Sequence, residues 1–382
     1  MAWLAQGVKA GAKAIAAVSA NSINGLDMAS GGNDVVVVEY RDGKLRSTPF
    51  NIRFGRLKTL RGKPRPVSVE VNGAMTDVHM RLGPHGVCEF VESTEVEEQP
   101  EEEEDVALKE DDISSLLYGH LDEWPEEADD GGMMIRVSAA AFTVPSELLP
   151  SEKVVVAKAY AGPPHRHLAK LNLVRGVNTV KFVIHSRLLG NQSVSARIYL
   201  WPEDTKIVIS DVDGTVTKSD VRGNLLPRLG KDWTHPGICS LYKGIEDNGY
   251  KILYLTARSI SQIDGTRQFL QGVRQGEGVG LPDGPVVGTP DKIFTAFTRE
   301  VITRTPHVFK IECLENIMTA FPARPFFAGI GNRVGDVVSY TAVGIPPEKI
   351  LIVDKKSAIH VCDTVSSYKT LTQLVNLTFP RV

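Results

Sequence analysis

Apolar positions change their period several times along the 382 residues. Over residues 2–20 they recur as on a helix. At about 100° per residue, Trp3, Leu4, Val8, Ile15 and Val18 share one face and Lys9 and Lys13 stand opposite. Gly7 and Gly11 each weaken such a helix by about 1 kcal/mol relative to alanine. Folding on lipid would supply the missing stability, and tryptophan with lysines opposite suits a helix lying on an anionic bilayer; the alternative is a terminal helix docked on the protein's own core. Residues 33–91 follow strand rules instead. The four valines 35–38 read as a buried strand, Arg41-Asp42-Gly43-Lys44 and Asn72-Gly73 as hairpin turns, and 51–55, 67–71, 78–82 and 89–91 as short strands. Residues 133–203 repeat the pattern at 134–137, 154–156, 179–184 and 194–200. Neither stretch carries enough strands to close a core alone. The expectation is one all-β immunoglobulin-like sandwich formed from the two separated segments, with 92–132 as its long loop.

From residue 204 the period changes again. Short apolar runs at 207–209, 252–255, 285–287, 326–328 and 350–353 alternate with helical stretches such as 292–304 and 309–321. That alternation predicts an α/β domain over 204–382.

The length favours two or three domains, and a hydrophobic fraction of 42% supports packed cores. Four cysteines lie far apart with no Cys-x-x-Cys pair, which reads as reduced thiols in a cytosolic protein. No apolar run is long enough to span a bilayer, and Gln6, Lys9 and Lys13 break up any signal-peptide core. The net charge of −3 hides an asymmetry. Residues 92–130 hold eighteen Asp or Glu against one Lys, a net of −17, which leaves +14 on the rest. Residues 92–132 therefore read as a solvated, disordered acidic linker. The basic remainder points to anionic partners, and no nucleic-acid-binding motif accompanies it.

The chemistry gathers after the run Ile207-Val208-Ile209. It ends in Ser210-Asp211-Val212-Asp213-Gly214-Thr215-Val216-Thr217. Ligands bind beyond the carboxyl ends of strands in open α/β sheets. Two carboxylates so close repel each other, and a metal cation relieves the repulsion. A carboxylate also serves as a nucleophile. An acidic turn closing a strand is the bland alternative. The longer pattern resembles the first motif of haloacid-dehalogenase-like phosphatases, which makes Asp211 the nucleophile and Asp213 the general acid and base. Thr256, at the end of Leu253-Tyr254-Leu255-Thr256-Ala257-Arg258, is expected to donate to a phosphoryl oxygen. Lys310 is expected to offset the charge on Asp211. Asn332, in Gly329-Ile330-Gly331-Asn332-Arg333-Val334-Gly335-Asp336, offers the hard oxygen that Mg²⁺ takes. Asp336 is expected to act through Lys310 or a metal-bound water. The expected metal set is Asp211, the Asp213 carbonyl and Asn332.

Three segments resemble the lipin family. Residues 33–91 are similar to its N-lip region, notably Asp34-Val35-Val36-Val37-Val38-Glu39 and Pro49-Phe50-Asn51-Ile52-Arg53-Phe54-Gly55. Residues 200–235, with Gly230-Lys231-Asp232-Trp233-Thr234-His235, and residues 327–336 are similar to C-lip. The resemblance implies a Rossmann-like haloacid-dehalogenase-type domain. It implies Mg²⁺-dependent removal of phosphate from phosphatidic acid, giving diacylglycerol. It also implies a cytoplasmic protein peripheral at the endoplasmic-reticulum or nuclear membrane. One departure stands out: where animal lipins carry an LxxIL coactivator motif, this chain has Arg222-Gly223-Asn224-Leu225-Leu226. Two other classes compete: a catalytically silent phosphatidate-binding module, against which Asp211 and Asp213 both speak, and a soluble small-molecule phosphatase of the same fold. Between the motifs no obvious cap domain is visible, which favours an open site.

Overall fold

The computed structural model describes residues 30–55, 65–83, 86–91, 163–185, 191–218, 233–289, 306–362 and 364–382. The amphipathic stretch 1–20, the acidic linker, the strands expected at 134–137 and 154–156, the helix expected at 292–304 and the 222–226 stretch lie outside these residues.

The amino-terminal strands are β1 (Gly31–Gly32), β2 (Val35–Glu39), β3 (Leu45–Ser47), β4 (Ile52–Arg53), β5 (Arg65–Val71), β6 (Ala74–Leu82) and β7 (Cys88–Phe90). A short helix α1 (His165–Ala169) precedes β8 (Gly176–Ile184) and β9 (Gln192–Pro202). Strands from both sequence segments share one sheet in the order β3-β2-β9-β8-β5-β6-β7, and β1 pairs with β4 as a separate ribbon. The described residues thus form one seven-stranded sheet where two facing sheets were expected. Residues 48–55 explain how it still encloses a core, because they run from its β3 edge to its β7 edge. Phe50 packs edge-on against Phe90 at 5.0 Å, the Phe54 N–H donates to the Gly86 carbonyl at 2.8 Å, and Arg53 bridges Val87.

The second sheet contains β10 (Ile207–Asp211), β11 (Lys251–Ser259), β14 (Val286–Thr289), β15 (Phe326–Gly331), β16 (Ile350–Val353), β17 (Ala358–Val361) and β18 (Thr364–Ser367). Between them lie α2 (Ile238–Asp247), α3 (Ile263–Gly272), α4 (Pro306–Met318), α5 (Val334–Ala342), α6 (Tyr368–Gln373), α7 (Val375–Thr378) and a ribbon of β12 (Arg274–Gln275) with β13 (Val279–Gly280). Helix α4 begins three residues before the stretch expected at 309–321. The strand order is β14-β11-β10-β15-β16-β17-β18, with the first five parallel. The chain works outward to one side of β10 and then returns to build the other, so order reverses between β10 and β15. In such a sheet the crevice forms at that point, beyond the carboxyl ends. Both faces of β10 are covered, which is why it is apolar throughout rather than alternating. Val208 faces a core with α2, α3 and α6, and Ile207 and Ile209 face one with α4 and α5.

The two sheets are not separate bodies. Val35 and Val37 enter the core of the first sheet, whereas Val36 and Val38 join Ile207, Ile209, Leu253, Leu255 and Val287 in the second. Strand β9 is shared in the same way, with Ile198 and Leu200 on one side and Tyr199 and Trp201 on the other. A run of four valines is what a strand between two cores requires. Just ahead of it, Asn33 and Asp34 close the open edge of β14. Asn33 exchanges amide hydrogen bonds with the Gly288 backbone at 2.8 and 3.0 Å. The Asp34 N–H donates to the Val286 carbonyl at 3.1 Å, and its carboxylate accepts from the Val286 N–H at 2.9 Å. The same carboxylate, fully buried, takes Nε and Nη2 of Arg267 at 3.2 and 2.8 Å and the Arg197 N–H at 2.8 Å.

Asp34→Ala leaves the Arg267 guanidinium buried without its chief partner, and removing one member of a buried pair costs about 3–5 kcal/mol. Chemical denaturation should show a loss of that size, with both sheets unfolding together. A loss under about 1 kcal/mol would mean that this junction does not hold the sheets.

Candidate active site

Asp211 closes the central strand and is buried. Val212 then turns the chain. Its carbonyl accepts the N–H groups of Thr215, Val216 and Thr217, and Gly214 takes a φ of 92°, a conformation that disfavours any side chain. The turn leaves Asp213 half-buried beside Asp211. His235 props it from behind. Its Nε2–H donates to the Gly214 carbonyl at 3.2 Å, and its Nδ1 accepts from Ser357 Oγ at 2.8 Å. Burial lowers the His235 pKa, which favours the neutral ring that these two bonds need.

Helix α4 delivers Lys310 and α5 delivers Asp336. Lys310 Nζ, buried, donates to Asp211 Oδ1 at 2.6 Å and to Asp336 Oδ1 at 2.5 Å. The other oxygen of Asp336 accepts the Asn332 and Arg333 N–H groups at 3.0 and 3.1 Å, and its charge sits favourably in the first turn of α5. Gly331 makes this approach possible, because a Cβ there would lie 2.4 Å from the Asp336 Cβ. The sequence-predicted residues Asp211, Lys310 and Asp336 are therefore joined, and Asn332 lies at the same end of the sheet. Thr256 is fully buried on β11, but its hydroxyl donates to Asp213 Oδ2 at 3.1 Å, where a phosphoryl oxygen was the expected acceptor. Asp213 has a further partner that the sequence reading left without a role. Arg258 grips it with Nε at 2.9 Å and Nη2 at 2.5 Å. An arginine two residues beyond Thr256, on the same strand, was the available signal.

Three carboxylates against one ammonium and one guanidinium leave the cluster at −1. Burial pushes the Asp211 carboxyl up to about 7. Lys310 opposes the rise, and Asp336 and Asp213 add to it. Burial by itself lowers the Lys310 pKa, but Asp211 and Asp336 outweigh it and the net shift is upward, so the ammonium stays charged. Among the described residues no three His, Cys, Asp or Glu side chains form a ready metal cage. The candidate set is instead mixed: the Asp211 carboxylate, the Asp213 carbonyl and Asn332. Hard oxygens in small number suit Mg²⁺, which keeps several waters. A divalent cation also meets the excess negative charge directly.

Residues 160–380 match the family described as LNS2 (Lipin/Ned1/Smp2), and residues 8–109 match the lipin N-terminal conserved region. The first match covers more than half of the chain, and the protein belongs to the LNS2 (Lipin/Ned1/Smp2) family. Its relatives include Phosphatidate phosphatase PAH1 of Arabidopsis thaliana, 50% identical over 223 residues, 57% of this chain and 25% of that protein. Phosphatidate phosphatase LPIN2 of Homo sapiens is 42% identical over 258 residues, 66% of this chain and 29% of that protein. Phosphatidic acid phosphohydrolase 1 of Saccharomyces cerevisiae is 42% identical over 229 residues, 56% and 26%. The chain thus spans little more than a quarter of the length of these relatives. Among the described residues no helix is long and apolar enough to cross a membrane.

The raised Asp211 pKa sets a pH dependence. An unfolded aspartate titrates near 3.9, and this one near 7 in the fold, so the folded chain holds a proton that the unfolded chain has released. Without divalent metal, stability should decline as pH rises from about 4 to about 7. Asp211→Asn should flatten that slope in urea titrations at several pH values. An unchanged slope in the variant would place the titrating group elsewhere.

Proposed function

We propose that the chain is a phosphatidate phosphatase that hydrolyses phosphatidic acid to diacylglycerol and phosphate at a membrane surface. The observation that carries this reading is Asp211 itself: a buried carboxylate at the mouth of the central strand, steadied by Lys310, with a second aspartate two residues on. The names of the relatives agree with it. The fold reading that goes with it is the Rossmann-like haloacid-dehalogenase-type domain beside an immunoglobulin-like sandwich. The parallel order β14-β11-β10-β15-β16 supports the first, and the joining of both sequence segments in one β unit is what supports the second.

An Asp211 oxygen attacks phosphorus as the bond to the glycerol oxygen breaks. Asp213 gives its proton to that oxygen, releasing diacylglycerol and leaving an aspartyl-phosphate. Water then attacks phosphorus, its proton passes to Asp213, and the phosphorus–Asp211 bond breaks to free inorganic phosphate. Lys310 holds Asp211 in place throughout, and Asp336 holds Lys310. Mg²⁺, when bound by Asp211, the Asp213 carbonyl and Asn332, neutralises phosphoryl oxygens. The need is electrostatic: with Asp213 protonated as the general acid, Asp211 and Asp336 already balance Lys310 and Arg258, and no cation of the cluster is left over for the incoming phosphate dianion.

The surroundings of the site suit an anionic bilayer. Strands β10, β15 and β16 are parallel, so the residues that follow them share one side. Exposed there are Lys218, Arg333, Val334, Lys355 and Lys356. The turn carrying Lys355 and Lys356 is tied to the catalytic loop through Ser357 and His235. With the amphipathic stretch 1–20, this surface would hold the enzyme peripherally on the cytoplasmic side of the endoplasmic-reticulum or nuclear membrane.

Phosphate release from phosphatidate vesicles should require Mg²⁺ and should fall below detection in Asp211→Asn, while vesicle binding persists. Turnover by that variant would remove the nucleophile assignment. A charge-reversed Lys355→Glu/Lys356→Glu chain should lose roughly tenfold or more on anionic vesicles, since each lysine near such a surface contributes about 1 kcal/mol. Its rate on a soluble phosphate ester should hold, and equal losses on both would rule out a membrane role for this turn.

A further inference from the structure

We propose that Arg258 is a positioning residue that aims the Asp213 carboxyl at the leaving oxygen. This rests on the phosphatase reading, in which Asp213 is the general acid. Asp213 sits on a tight turn, and among the described residues the hydrogen bonds that constrain its carboxyl group come from β11. Arg258 supplies that constraint from the neighbouring strand. Its Nε donates to Oδ2 and its Nη2 to Oδ1, a two-pronged grip that sets orientation as well as place. The grip is itself anchored. Arg258 Nη1 donates to Thr266 Oγ1 at 3.3 Å, and that hydroxyl donates to the Gln262 carbonyl at 2.9 Å at the start of α3. Thr256 adds a third bond to Asp213 Oδ2. Thr256 and Thr266 are fully buried, and the Arg258 side chain is only 12% exposed. Asp213 is thereby referenced to β11 and α3 rather than to its own turn.

A general acid matters in proportion to how badly the leaving group needs a proton. The glycerol alkoxide of a phosphatidate is a poor leaving group, whereas a nitrophenolate leaves without help. Misaiming Asp213 should therefore penalise alkyl esters and largely spare aryl esters. Loss of phosphate binding, or a loosened fold, would slow both alike.

The test measures kcat on a soluble short-chain phosphatidate and on p-nitrophenyl phosphate, both with Mg²⁺. Arg258→Gln should lose about 10²-fold or more on the alkyl ester, within the usual range for general acid catalysis, and less than about tenfold on the aryl ester. Arg258→Lys, which keeps the charge but not the fork, should fall between wild type and Arg258→Gln. In an Asp213→Asn background Arg258→Gln should add no further loss on the alkyl ester, because the two residues act as one unit. If Arg258→Gln shows no cooperative melting, Thr266→Val carries the same test with a smaller bias of the same sign. Equal losses on both esters, or losses that multiply in the double variant, overturn the proposal while leaving the phosphatase reading intact. A wild-type chain inactive on both esters overturns both.

Discussion

Asp211, Asp213 and Asp336 crowd the carboxyl end of one strand with Lys310 and Arg258 as their only bonded cations among the described residues, and this imbalance shapes what surrounds it. A buried carboxylate is costly unless paired and hydrogen-bonded. Each of the three is met by donors that a different element brings: α4 brings Lys310, β11 brings Arg258 and Thr256, and the start of α5 turns two backbone N–H groups onto Asp336. In the proposed function, the remaining negative charge is what a divalent cation would meet.

That arrangement needs a sheet rigid at its edge, and the amino-terminal segment provides it. Strand β14 would present unpaired backbone groups, a liability for any edge. Asn33 and Asp34 take them up, and the next four valines bury themselves in two cores at once. Gly31 reinforces the same junction. A Cβ there would meet the Ile260 carbonyl oxygen at 2.2 Å, so the segment lies directly against the turn that follows Arg258. The path from Asp34 to the site is short and entirely packed: Asp34 to Arg267 on α3, Thr266 beside it, then Arg258 and Asp213. A segment that ends more than a hundred residues before β10 begins is thus part of the frame that holds Asp213.

Much of this is legible in the chain before any coordinates. An apolar run that stops at two acids and a glycine can only be a buried strand opening on a polar turn, so Asp211 and Asp213 stand where they should. Lys310 and Asp336 are visible only through the order of motifs, since a lone lysine or aspartate carries no sign of its partner. What stayed hidden is partnership across elements. Four consecutive valines state that a strand is buried on both sides, but not that the second side belongs to another sheet. Residues 51–55 read as a strand, yet only Ile52 and Arg53 form one, and the stretch 48–55 as a whole is a strap that joins two sheet edges. Thr256 reads as a phosphate ligand because it follows the apolar run 252–255 as a strand end would, but β11 continues to Ser259, and nothing local reveals that Asp213 is near enough to take the hydroxyl. Arg258 is hidden for the same reason.

The central claim is that Asp211 is the atom-to-atom link between protein and phosphoryl group. It is tested most directly by acid-quenching the chain during turnover of ³²P-labelled phosphatidate with Mg²⁺, then reducing with borohydride and mapping the peptides. The account predicts label on the peptide that contains Asp211, its loss on reduction, and homoserine at position 211. Turnover without label on that peptide, or label that persists there in Asp211→Asn, would contradict it.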